Sequence, residues 1–178
     1  TVRHALVRSI LELQLKESVQ RLELALSGGD LGAWDWHLPG DNVTFNERWC
    51  EMLGYTLNEI EPVVSSWKKL VHPDDWTVIN AALEPHLKNE SQMYEAEYRM
   101  RHKDGRWVWV LDRGKVVEWN DDGQPLRMAG TCLDITRQKQ AEQILLDSRN
   151  HLKEQVGKMA SQLKELRDEF EDVNTTLR

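Results

Sequence analysis

The chain has 178 residues, of which 30% are charged, with a mean hydropathy of −0.63 and a net charge of −7. That length suits one domain with helical extensions, and so polar a chain holds neither an apolar run long enough to span a bilayer nor a secretory signal. Eight basic and eight acidic residues from Arg137 onward cancel, so the part before them carries the whole acidic excess, and no basic patch is left for direct nucleic-acid binding.

Residues 4 to 27 read as an amphipathic helix, with Leu11, Leu15, Leu22 and Leu26 at helical spacing and Ser18 filling the gap. Gly28-Gly29 ends it. The stripe either covers the sheet that follows or pairs with a second copy of itself. Residues 32 to 38 alternate as a strand, Pro39-Gly40-Asp41-Asn42 turns, and Val43 to Phe45 returns as a second strand of a hairpin. Asn46 is placed to cap a short helix, Glu47 to Leu53, closed by Gly54. Asn58 to Val71 holds one or two short helices. In His72-Pro73-Asp74-Asp75 a proline and two potential capping acids start a helix through Trp76, Ile79 and Leu83. His72 reads as part of that turn, and His86, after Pro85, as a surface residue.

The period then switches to two. Tyr94, Ala96, Tyr98 and Met100 alternate with Glu95, Glu97, Arg99 and Arg101. Lys103-Asp104-Gly105 turns into a strand from Trp107 to Val117, and Asn120-Asp121-Asp122-Gly123 turns into a last strand from Leu126 to Ile135. The expectation is an α+β fold: five antiparallel strands, short helices on one face, an N-terminal helix and a long C-terminal helix. Trp34 with Trp36, and Trp107 with Trp109, each put two indoles on one sheet face. Alternation alone leaves open which faces look inward.

From Leu152 the apolar positions are Leu152, Val156, Met159, Leu163, Leu166, Phe170, Val173 and Leu177. Their alternating steps of four and three form a heptad seam, the pattern of a left-handed coiled coil. Upstream, Ala141, Leu145, Ser148, Leu152 and Val156 contain a doubled step of four, a stutter that locally unwinds such a coil. The other register there puts Arg149 in the seam. A helix from Arg137 to Arg178 would reach on the order of 60 Å.

The order of elements resembles the PAS domain over roughly residues 30 to 136. The segments that carry the resemblance are Gly32-Ala-Trp-Asp-Trp36, Phe45-Asn46-Glu47, Leu53-Gly54-Tyr55, Val71-His-Pro-Asp-Asp75, Tyr98-Arg-Met-Arg-His-Lys-Asp-Gly105 and Asp134-Ile135-Thr136. The likeness is greatest to PAS domains with Trp-rich strands and a His-Pro-Asp-Asp turn, found in bacterial signalling proteins. It implies three parts: an N-terminal helix over 1–29, a sensor over 30–136 and a signalling helix over 137–178. It also implies a relay at Asp134, Ile135, Thr136 and Arg137, where both Asp134 and Thr136 are placed to bond the free amides of the new helix. A candidate ligand pocket is lined by Trp67, Ile79 and Leu83.

No hydrolase, phosphate-binding or zinc-protease motif is present, and the six histidines have no ligand spacing, so neither an enzyme nor a metal site is expected. Cys50 and Cys132 form no CxxC pair and suit a reducing, cytoplasmic setting. Light-sensing relatives bond flavin through a cysteine after the short helices, and Asn58 to Leu70 has none. The cofactor is open: none is the first expectation, a non-covalent flavin or a haem the others. Because residue 1 is Thr, we expect a piece of a longer protein. It would act as a homodimer through its N-terminal helix and coiled coil. A small-molecule or redox signal would pass to an effector on the same polypeptide. The linker resembles that of proteins with a LuxR-type helix-turn-helix slightly more than that of diguanylate cyclases or histidine kinases. The alternative is a ligand-free dimerisation spacer.

Overall fold

A computed structural model describes residues 2–176, and within α1 and α5 the side chains of residues 4 and 6–169. In chain order the elements are α1 (Val2–Gly28), β1 (Gly32–His37), β2 (Asn42–Phe45), α2 (Glu47–Met52), α3 (Val64–Leu70), α4 (Trp76–Leu87), β3 (Tyr94–Arg101), β4 (Trp107–Trp119), β5 (Pro125–Asp134) and α5 (Thr136–Thr176). The chain divides into two compact units, 1–136 and 137–178.

The five strands form one antiparallel sheet in the order β2-β1-β5-β4-β3. The two hairpin signals place β1 beside β2 and chain β3, β4 and β5 as a meander. Pairing of β1 with β5 joins the two pieces, with Trp34 opposite Gly130 and Trp36 opposite Met128. Side chains alternate across the sheet, so this register decides the inner face: Trp34, Trp36, Val43, Phe45, Tyr94, Tyr98, Val108, Val110 and Met128. The segment around α3 runs from edge to edge of the sheet, bridging Val63 to Asn42 and Val71 to Met100. Trp107 and Trp109 lie on the opposite face from Trp34 and Trp36. They are half-buried there, under the guanidinium groups of Arg101 (5.6 Å) and Arg99 (5.4 Å).

The local signals act as their chemistry requires. Asn46 Oδ1 accepts from the Trp49 amide (2.9 Å) and the Ala33 amide (2.8 Å), capping α2 and pinning it to β1. Gly54 has φ of 79°, and a methyl group there would strike the His102 ring. The start of α4 differs from the sequence expectation. The capping acceptor is the His72 ring, which takes the Asp74 amide, while Asp75 caps nothing. Its carboxylate instead grips Arg99 of β3 through the guanidinium (2.6 and 2.9 Å) and the backbone amide (2.8 Å). The Arg99 hydrogen bonds hold the Asp75 carboxyl below its ordinary range. A cap bonds one amide, whereas this site satisfies both carboxylate oxygens with charge-assisted bonds.

The stripe on α1 does not lie on the sheet: Leu11, Leu15 and Leu22 are exposed and only Leu26 is half-buried. Leu6, Val7, Ile10, Leu13, Val19 and Leu24 are exposed as well, so apolar side chains occupy more of this helix than one stripe. α5 is continuous through the stutter. Its seam residues Leu152, Val156, Met159, Leu163 and Leu166 are all exposed. The side chains of Phe170 and Val173, and Leu177 entirely, lie outside the described residues.

Candidate functional site

The inner face lines a half-open cavity between the sheet, α2, α3 and α4, with a volume of about 50 Å³, or about 460 Å³ of empty space once the open solvent at its mouth is included. Of the three pocket residues expected from sequence, Trp67 and Leu83 line it. Ile79 does not: it is fully buried one turn away in the core. Four of the eight tryptophans, Trp34, Trp36, Trp49 and Trp67, form much of the wall, and Phe45 stacks on Trp49 with ring centres 3.9 Å apart.

Sequence reading missed the residue at the centre. Asp112 of β4 is buried, with Trp34 Nε1–H donating to one carboxylate oxygen (2.7 Å) and the Tyr98 hydroxyl to the other (2.8 Å). Trp67 Nε1–H donates in turn to the Tyr98 oxygen (2.9 Å). The chain Trp67–Tyr98–Asp112–Trp34 therefore joins α3, β3, β4 and β1. Burial pushes the Asp112 carboxyl up to about 6, against the pull of its hydrogen bonds from Tyr98 and Trp34 and of the nearby Tyr94 hydroxyl. Burial and the nearby Asp112 charge also push both tyrosine hydroxyls well up, so each remains a neutral donor. A signal for Asp112 did exist: it shares the parity of Val108, Val110 and Val116, an acid between apolar positions of one row.

Two further donors face this region. The Tyr94 hydroxyl and the Trp36 indole N–H are buried, and neither makes a hydrogen bond of ordinary length and angle within the protein. Tyr94 lies close enough to Asp112 and Tyr98 for all three to influence one another's titration. Buried donors without acceptors are uncommon, and both belong to residues that line the cavity.

His86 is not the surface residue expected from its position. It is 2% exposed. The Val116 amide donates to Nε2 (3.0 Å), which puts the ring proton on Nδ1, where it is donated to the Ser91 carbonyl (3.0 Å). Both ring nitrogens are thus committed to backbone, and the ring ties the end of α4 to β4. A haem iron would have to displace one of these bonds, so the residues do not fit the haem reading. The thiols are also buried: burial pushes Cys50 up to about 11 and Cys132 well above its ordinary value, which disfavours the reactive thiolate. Among the described residues no group of three or more His, Cys, Asp and Glu is placed to hold a metal, and no helix is long and apolar enough to cross a membrane.

At the exit of the sheet, Asp134 Oδ1 accepts from the Thr136 amide (2.8 Å). Thr136 does not bond a free helix amide. Its hydroxyl accepts instead from the Trp109 amide of β4 (3.0 Å), and the Ile135 amide donates to the Trp109 carbonyl (2.9 Å). Ile135 is buried, and Arg137 is exposed on the first turn of α5. Trp109 and Asp112 are three residues apart on one strand, so β4 joins the cavity to the start of the helix over about 10 Å.

A family model described as PAS fold matches residues 42–132. A curated relative, the methyl sulfide methyltransferase-associated sensor of Methanosarcina acetivorans, is 27% identical over 146 residues, covering 82% of this chain and 14% of the relative. A probable diguanylate cyclase of Escherichia coli is 27% identical over 154 residues, covering 83% of this chain and 14% of that protein. The chain thus spans about one seventh of the length of these relatives. Among solved structures, a sensory box histidine kinase/response regulator from Burkholderia thailandensis is 34% identical with a TM-score of 0.66, covering 75% of this chain and 98% of that one.

Proposed function

The chain belongs to the PAS-fold family, and from that premise we propose that it is the sensory module of a bacterial signal-transduction protein, with a small molecule in the cavity as its stimulus. The observation that carries the reading is the position of β4. The strand holds Asp112 at the cavity and, three residues away, the Trp109 backbone that bonds Ile135 and Thr136. A ligand that repositions Asp112 acts on a strand already bonded to the start of the signalling helix. The relay is assigned to Asp134, Ile135, Thr136 and Arg137, and the parts to residues 1–29, 30–136 and 137–178. The exposed apolar residues of α1 and α5 support a homodimer through both helices. The effector would follow on the same polypeptide. Linker similarity favours a LuxR-type DNA-binding domain, and the names of relatives favour a kinase or cyclase.

Coupling of this kind requires an element whose equilibrium both sites bias. In the full-length protein, Asp134→Ala with Thr136→Ala is expected to lower the melting temperature by several degrees, because each side chain satisfies a backbone amide, and to remove most of the response to stimulus at temperatures where the variant is folded. A normal response in the double variant would sink the relay. The ligand is sought by denaturing the purified protein and analysing what it releases by mass spectrometry, with a visible spectrum taken first for a flavin band.

A dimerisation spacer is the second reading, favoured by the same exposed seam on α5. It predicts that nothing is released, and that no compound in a metabolite panel raises the melting temperature.

A further inference from the structure

Two carboxylates are buried among the described residues, and they are treated differently. Asp75 faces the Arg99 guanidinium. Asp112 faces only neutral groups: Trp34 from β1, Tyr94 and Tyr98 from β3, and Cys132 from β5. No Lys, Arg or His lines the cavity. A buried carboxylate without a counter-charge is costly. The walls around this one are the faces and edges of Trp34, Trp36, Phe45, Trp67, Tyr94 and Tyr98, and the negative face of an aromatic ring attracts cations.

We propose that the cavity binds a small organic cation, an alkylated ammonium compound, with its charge against Asp112 and its alkyl groups against the aromatic walls. The inference rests on reading the cavity as the ligand site. An oxygen on the same molecule, a hydroxyl or a carbonyl, would meet the Trp36 N–H and the Tyr94 O–H, which lack acceptors. An acidic ligand would put a second negative charge beside Asp112, so anionic compounds are disfavoured. The cation binds the ionised carboxylate. Its affinity therefore falls as the medium is acidified through the free-state value of about 6, by up to tenfold for each further pH step of one.

The test compares choline with 3,3-dimethyl-1-butanol, its uncharged carbon isostere, at fixed ionic strength, reading melting temperature and tryptophan fluorescence. Choline is expected to raise the melting temperature saturably and to change the fluorescence of the four cavity tryptophans. The isostere should bind at least tenfold more weakly. Asp112→Asn, checked for native circular dichroism, should abolish the preference between the two. The wild-type comparison stands whether or not that variant folds. Equal binding of both probes overturns the cation inference and leaves the small-molecule sensor standing. Binding of neither also overturns it, and release of a neutral compound from denatured protein would then still support the sensor.

Discussion

Asp112→Asn is expected to remove a pH-dependent loss of stability of about 3 kcal/mol, the equivalent of moving one carboxyl from its ordinary 3.8 to about 6. The sign follows from the direction. A carboxyl raised on folding favours the folded state fully below its unfolded value, and that contribution is lost as pH rises through the folded value. Wild-type protein should therefore lose stability through this group between about pH 4 and pH 7, while the asparagine variant loses none. Asp35, held low by its hydrogen bonds from Arg127, and Asp75, held low by those from Arg99, act in the opposite sense: they lose stability as the medium is acidified. Both pairs are present in both proteins and cancel in the difference. Urea denaturation of the two proteins at several pH values checks it. Parallel profiles would show that Asp112 is not the buried, uncompensated acid described here. The same carboxylate would then explain neither a cation preference nor its pH dependence.

Gly130→Ala should be strongly destabilising, costing more than about 3 kcal/mol and lowering the melting temperature by roughly 10 °C or preventing folding. A methyl group at residue 130 would overlap both the Arg113 carbonyl and the Trp34 indole. The first obstacle is backbone and cannot swing aside. The second is the ring that donates to Asp112, so the change would reach the cavity network even in protein that folds. Gly114, across the ladder from Gly130, is covered by the same indole. The two glycines form the floor on which Trp34 lies. Gly157 in α5 supplies the contrast, because nothing lies within 4 Å of an added methyl group. Gly157→Ala should be neutral or stabilising by up to about 1 kcal/mol through helix propensity. A Gly130→Ala protein that melts like wild type would contradict the strand register on which the cavity depends.

Much of this architecture was legible in the sequence, and the reasons are local. Strand alternation from Tyr94 to Arg101 places one row of side chains on each face whatever lies opposite. The Asp-Gly turns reverse the chain by their own backbone preferences. Asn46 caps α2 with the amide three residues on, and the heptad seam from Leu152 follows from helix geometry alone. All these signals act between residues close together in the chain. Motif order along residues 30 to 136 then identified the family.

The site is a matter of residues far apart. Trp34 and Asp112 are 78 positions apart, and Trp67 and Tyr98 31. Their meeting depends on which strands pair and in what register, which no local period encodes. Alternation placed Asp112 in the row of Val108 and Val110, but only the pairing of β4 between β3 and β5 made that row the inner one. The same dependence buried His86 between α4 and β4, and took Asp75 from a helix cap to an ion pair with Arg99. Local periodicity determined the elements and their order. Only the tertiary structure decided which polar groups lost water and which partners replaced it, because desolvation is set by everything that packs around a group.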